Sequence, residues 1–289
     1  MRTNTLERKI LGWLFETGAI KVSAPDQPFW YTSGLIGPYY CNTHFLYGSE
    51  EAATRLLAQI DGWKSQPLEC SAAVARELRQ QYAKTPLYRQ LIDDLAKYLR
   101  QNWPLDQIQY ISGGERRDWF FSLLPAMLLD KPHLTIFKDR QVVLQYNCGA
   151  GFVSDLGGGR VLHISDLITE ASSYLRAWIP AIADRGGEIV GTVTIVDRQQ
   201  GGGEALRRAG VPMQALARID QTLFAEARER GYVSAEQYQL VLSYLQDPEQ
   251  SMRNFLLSHP EFLENALQGD AKTAERARRL LDEDLYKLK

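Results

Sequence analysis

Between Ile108 and Ile219 the chain repeats one pattern: a short apolar run rich in β-branched residues, then a stretch with helical spacing. The runs are Ile108-Gln-Tyr-Ile, Leu134-Thr-Ile-Phe, Arg160-Val-Leu-His-Ile, 188–196 and 212–219, and the helical stretches are 119–129, 171–184 and 205–209. Strands separated by helices pair in parallel, because a crossover returns each strand in the same direction. The pattern therefore predicts an α/β fold: a parallel sheet flanked by helices. Such sheets take ligands beyond the carboxyl ends of their strands. The residues just after Ile111, Phe137, Ile164 and Val196 are accordingly the candidate site.

The flanks read differently. Apolar spacing predicts helices at 6–15, ended by Gly18, and at 50–60, 71–82 and 91–99, the last two around a break at Pro86. An aromatic segment after Ala24-Pro-Asp-Gln-Pro predicts a loop running into a short strand. Residues 221–289 show several short helices and no convincing strand. The expected organisation is one domain over 1–220, with a helical insertion at about 61–105, and a C-terminal helical extension over 221–289.

A net charge of −2 gives no global field for nucleic acid or anionic lipid. No apolar run approaches the ~18 residues of a membrane span, and the N-terminus has no signal-peptide core. Cys41, Cys70 and Cys148 are odd in number and widely spaced, which argues for free thiols in a reducing cytoplasm. His44, His133, His163 and His259 lack metal-ligand spacing and are read as structural.

The stretch 161–173 carries the most chemistry. An apolar strand ends in Asp166, and a hydroxyl-rich turn, Thr169-Glu-Ala-Ser-Ser, opens a helix. Backbone N–H groups at a helix start hold a phosphate well, Thr169, Ser172 and Ser173 add donors, and Asp166 can accept from vicinal ribose hydroxyls. The alternative is that Asp166 or Thr169 only caps the helix.

Asp166-Leu-Ile-Thr-Glu-Ala-Ser-Ser resembles the phosphoribosyl pyrophosphate (PRPP) motif of type I phosphoribosyltransferases. Glu16-Thr-Gly-Ala-Ile-Lys, Tyr31-Thr-Ser-Gly and Pro38-Tyr-Tyr-Cys-Asn resemble the N-terminal segment of the orotate branch. Gly186-Gly-Glu-Ile-Val-Gly-Thr-Val-Thr-Ile-Val-Asp-Arg, followed by Gly201 and Gly202, and Ala209-Gly-Val-Pro resemble its last two strands. The resemblance covers roughly residues 5–220 in order and implies the type I fold.

It also implies roles. Asp166 faces the ribose hydroxyls and, weakly, a metal. Thr169, Glu170, Ala171, Ser172 and Ser173 wrap the 5′-phosphate. Ser112, Gly113 and Gly114 form the loop that meets pyrophosphate and Mg²⁺. Lys138 and Arg140 stand for lid cations that act in catalysis. Arg198, with Thr32 and Ser33, meets an orotate-like carboxylate, for which a planar guanidinium is suited; the alternative for Arg198 is a surface ion pair. The implied activity is transfer of phosphoribosyl from PRPP to orotate or a related planar acid or base, with release of pyrophosphate, in pyrimidine biosynthesis by a cytoplasmic homodimer.

The pattern breaks in several places. Ser165 stands where the family has the first of two acids, Glu170 where it has a second threonine, and Ala171 where it has glycine. The lid's second lysine and its histidine have no counterpart, and Val142, Val143 and Leu144 occupy that stretch; such a triplet prefers to pair as a strand. Thr32 replaces a lysine. Glu115-Arg-Arg-Asp-Trp replaces small residues, so Arg116 or Arg117 either supplies phosphate charge or belongs to a solvated helix start. These departures favour a second reading, a catalytically impaired protein on the same fold that binds a nucleotide or phosphosugar.

Overall fold

A computed structural model describes residues 5–147 and 149–288. In chain order the elements are α1 (Thr5–Glu16), β1 (Ile20–Val22), β2 (Phe29–Trp30), β3 (Ile36–Gly37), β4 (Tyr39–Cys41), α2 (Glu50–Trp63), α3 (Pro67–Lys84) and α4 (Pro86–Asn102). There follow β5 (Tyr110–Gly114), α5 (Trp119–Leu128), β6 (His133–Ile136), β7 (Val142–Tyr146), β8 (Gly149–Phe152) and β9 (Arg160–Ile168). A π-helical turn, Tyr174–Trp178, leads into α6 (Ile179–Ala183), β10 (Glu188–Asp197), α7 (Gly202–Arg208) and β11 (Met213–Arg218). The rest is helical: α8 (Gln221–Glu229), α9 (Ala235–Gln246), α10 (Pro248–Ser258), α11 (Pro260–Leu267) and α12 (Ala271–Asp282).

The chain forms two compact units. The first holds the residues up to Ala19 and Thr43–Ile219. Its seven-stranded sheet runs β11-β10-β9-β5-β6-β7-β8, with the first five strands parallel and β7 and β8 added as an antiparallel pair at the β6 edge. Leu134, Ile136, Val161, Tyr174, Trp178 and Ile182 form a core cluster of this unit. Proline opens α3 and α4 at the first helical position, where its missing N–H costs nothing. This makes Pro86 a start signal as well as a break.

The second unit begins again at Asp220, and it also holds Ile20–Asn42, which packs with the C-terminal helices. β1 pairs with β4 and β2 with β3, both antiparallel. Two-stranded pieces of this size cannot bury a core by themselves. They obtain one from the helices: Tyr39 packs on Phe224 and Tyr244, and Trp30 stacks on Phe262 at 5.4 Å.

Candidate active site

The site is built at the carboxyl ends of β5, β6 and β9. β9 runs further than its apolar run suggests, through Asp166 to Ile168. The next residues cannot continue into a helix at once, because Ala171 lies at φ = 59°. That left-handed position turns the chain, and helical backbone resumes at Ser172. The Ala171 carbonyl accepts from Leu175 N at 3.1 Å. From the other side the backbone is held by the segment after β10: Arg198 N donates to the Ile168 carbonyl at 3.0 Å and Gly202 N to the Thr169 carbonyl at 2.8 Å. A Cβ on Gly202 would stand 2.6 Å from the Thr169 oxygen, so only glycine allows this approach.

The resulting cleft, of about 420 Å³, is lined by Glu115 through Asp118, Lys138, Ser165 through Tyr174 and Trp178. The hydroxyls of Thr169, Ser172 and Ser173 make no hydrogen bond among the described residues, so all three are available to a ligand. Glu170 lines the cleft but is solvent-exposed.

Asp166 is buried, 6% exposed, and its Oδ2 has no partner. Burial raises its pKa well above the usual carboxylate value, and the neighbouring Asp118 carboxylate adds to the rise, while Arg117 opposes it. Ser165 Oγ is likewise buried and unpartnered. Orphaned polar atoms in a concave site are costly unless a ligand meets them.

Cations reach the cleft from two directions. Arg116 also lines the cleft, but its guanidinium is already engaged by Asp61 and the Leu57 carbonyl. Arg117 lines the cleft, and its guanidinium makes no hydrogen bond or ion pair among the described residues. Lys138 lines it as well, positioned by its own N–H, which donates to Glu115 Oε2 at 2.9 Å.

The remaining sequence candidates are placed as follows. Ser112, Gly113 and Gly114, expected as a loop, are the buried end of β5, and the turn begins only at Glu115. Their small size serves packing: a Cβ on Gly114 would overlap Trp178, and one on Gly113 would overlap Ser122. Arg140 sits in the β6–β7 turn and donates to the Arg176 carbonyl at 2.7 Å, so it does not line the cleft. Val142, Val143 and Leu144 lie in β7, paired with β6, as an apolar triplet prefers. Arg198 follows β10; its Nε is buried without a partner, and no ion pair forms there among the described residues. Thr32 and Ser33 belong to the second unit, where Ser33 Oγ accepts from Leu35 N at 3.4 Å. Cys70 is a buried free thiol; Cys148 lies outside the described residues.

Sequence reasoning missed the buried network behind the cleft. Asp118 stands at the N-cap position of α5 yet caps nothing. Instead its Oδ2 accepts from Gly114 N at 3.0 Å and its Oδ1 from Asp166 N at 3.0 Å. His163 Nε2 lies 3.3 Å from the same Oδ2, and its Nδ1 lies 2.8 Å from Ser112 Oγ. The only sequence signal was an acid just before an apolar helix, which reads as an ordinary cap.

A curated relative, the orotate phosphoribosyltransferase of Methanopyrus kandleri, is 37% identical over 97 residues, which is 34% of this chain and 52% of the relative. The one from Cutibacterium acnes is 24% identical over 249 residues, 85% of this chain and 95% of the relative. The crystal structure of the Francisella tularensis orotate phosphoribosyltransferase matches with a TM-score of 0.51 at 15% identity, over 82% of this chain and 96% of that one. The chain is orotate phosphoribosyltransferase-like. Its fold is that of the type I phosphoribosyltransferases, with added C-terminal helices. The Methanopyrus match spans only about half the length of that relative. No family model matches the chain. Another cavity, of about 300 Å³ between α3, α5 and the β7–β8 hairpin, holds none of the predicted site residues.

Proposed function

We propose that the cleft binds PRPP and that the protein transfers its phosphoribosyl group to orotate or a related planar acid or base. A ring nitrogen of the acceptor bonds to the sugar's anomeric carbon, and the bond from that carbon to the pyrophosphate oxygen breaks. The observation that carries this reading is the convergence of a hydroxyl-lined cradle, a buried acid with a free oxygen and two cations on one cleft. In that role the turn 169–173 holds the 5′-phosphate and Asp166 accepts from the ribose hydroxyls. Arg117 and Lys138 offset the negative charge of the diphosphate.

Magnesium fits only as a companion of the substrate. Among the described residues no group of three or more ligating side chains could hold a metal, and Asp118 spends both oxygens on protein groups. Asp166 is left as the acid with an unpartnered oxygen; on giving up the proton that its burial favours, it would meet an ion held mainly by substrate phosphates. Bound there, magnesium would neutralise the leaving pyrophosphate. The buried, unpartnered Nε of Arg198 favours a planar carboxylate as its partner. A homodimer working in the cytoplasm belongs to the same proposal. No described helix is long and apolar enough to cross a membrane.

The second reading, binding without efficient transfer, is favoured by β7, which pairs as a strand where the family carries its cationic lid. Loss of groups that act in the transition state leaves binding largely intact. Two titrations separate the readings: heat on adding PRPP with Mg²⁺ reports the cradle, and loss of orotate absorbance reports transfer. Arg117→Ala should weaken PRPP binding by about 10–100-fold, the worth of a charge-assisted hydrogen bond, and Arg116→Ala by much less. No heat with the native chain rejects the proposal. Turnover that survives Arg198→Ala rejects the acceptor assignment.

A further inference from the structure

β9 supplies one acid to the cleft, Asp166, and the residue before it is Ser165, whose buried hydroxyl has no partner. A second carboxylate is nevertheless present, brought from a different element. Asp118 is 7% exposed and lines the same cleft. Its two oxygens are divided between the two halves of the site. One takes the backbone N–H of Asp166, at the ribose side; the other takes that of Gly114, where the turn carrying Arg117 begins. His163, wholly buried and held by Ser112, fixes the same carboxylate from behind.

We propose that Asp118 takes the place of the acid that Ser165 lacks, as a positioning residue that ties the diphosphate side of the cleft to its ribose side. The proposal rests on the reading of the cleft as a PRPP site. A helix-capping carboxylate would bond the first N–H groups of α5; the carboxylate of Asp118 bonds none of them and spans two strand ends instead. Its contribution is to keep Asp166 and the 115–118 turn in one mutual arrangement. A ligand that reaches both halves then gains more than two ligands that each reach one.

The test uses the full chain and three probes: PRPP with Mg²⁺, ribose 5-phosphate, and pyrophosphate with Mg²⁺. In Asp118→Asn, PRPP binding should fall by about tenfold or more, while each fragment stays within about threefold of native, because coupling between the halves is what is lost. Equal loss of all three probes would show a merely structural role and overturn the proposal, as would no loss at all. Ser165→Asp gives an opposite and independent sign. In the native background it adds a third buried carboxylate and should weaken PRPP binding, since like charges there oppose one another. In the Asp118→Asn background it should restore binding. If Asp118→Asn does not fold, Ser165→Asp alone decides, and tighter PRPP binding would show the acid position to be vacant. A native chain that binds no PRPP overturns the underlying reading as well, and is distinguished by the absence of any wild-type signal.

Discussion

Ala171 shows how a single residue can depart from a family pattern without destroying the local structure. Its φ of 59° is the conformation for which glycine is the usual choice. Alanine there costs roughly 1–2 kcal/mol. Against this, its methyl is buried, 4% exposed, which is worth about 0.8 kcal/mol, and it spares the ~0.5–1 kcal/mol of backbone entropy that glycine would lose. The terms nearly cancel. Ala171→Gly should therefore change stability by no more than about 0.5 kcal/mol in urea denaturation; a loss beyond ~1.5 kcal/mol would mean that methyl packing dominates. In the proposed role Asp166 carries the opposite balance, function at the cost of stability. Its folded-state pKa is raised, so above the unfolded value of 3.8 the native state keeps a proton that the unfolded state releases. Stability then falls as pH rises through that window, by about 1.4 kcal/mol per pH unit at most. Asp166→Asn should remove this loss: its advantage in melting temperature over the native chain should grow as pH rises above the unfolded value of 3.8, while PRPP binding disappears. An advantage independent of pH would contradict the assignment.

At the scale of elements, the segment after β6 decides whether the cleft has a mobile charged cover. Val142 and Val143 are buried and β7 pairs with both β6 and β8, so the segment is integral to the sheet. Val143→Lys places an unpaired charge in that packing and should destabilise the fold by about 3 kcal/mol or more, read as a lower denaturation midpoint. A lid segment would tolerate the same change. Strand pairing here was legible beforehand, because three consecutive apolar residues lack the charge a solvated loop requires. The helix after β9 was less legible. Its spacing suggests helix from Ala171, whereas the left-handed turn delays it and the first turn is π-helical.

At the scale of the molecule, the second unit joins Ile20–Asn42 to the C-terminal helices. Tyr286 is the clearest join: its hydroxyl accepts from Ile36 N at 2.9 Å and donates to the Ile36 carbonyl at 3.1 Å. Both groups are buried, so Tyr286→Phe leaves a backbone donor and acceptor unmet and should cost about 1–3 kcal/mol in chemical denaturation. A neutral result would show that water replaces the hydroxyl.

Periodicity, β-branched runs and turn residues are local properties, and they determined the order of strands and helices, the parallel sheet and the place of the cleft. The motif after Ile164 lines the cleft for the same reason: its residues are contiguous in the chain. Tertiary structure alone decided the pairings between distant residues. It brought Asp118 to Asp166 across 48 positions, turned Arg116 to Asp61 and left Arg117 facing the cleft. It also carried a 23-residue N-terminal segment into the C-terminal unit. Such contacts depend on where the backbone returns in space, and no spacing rule along the chain encodes that.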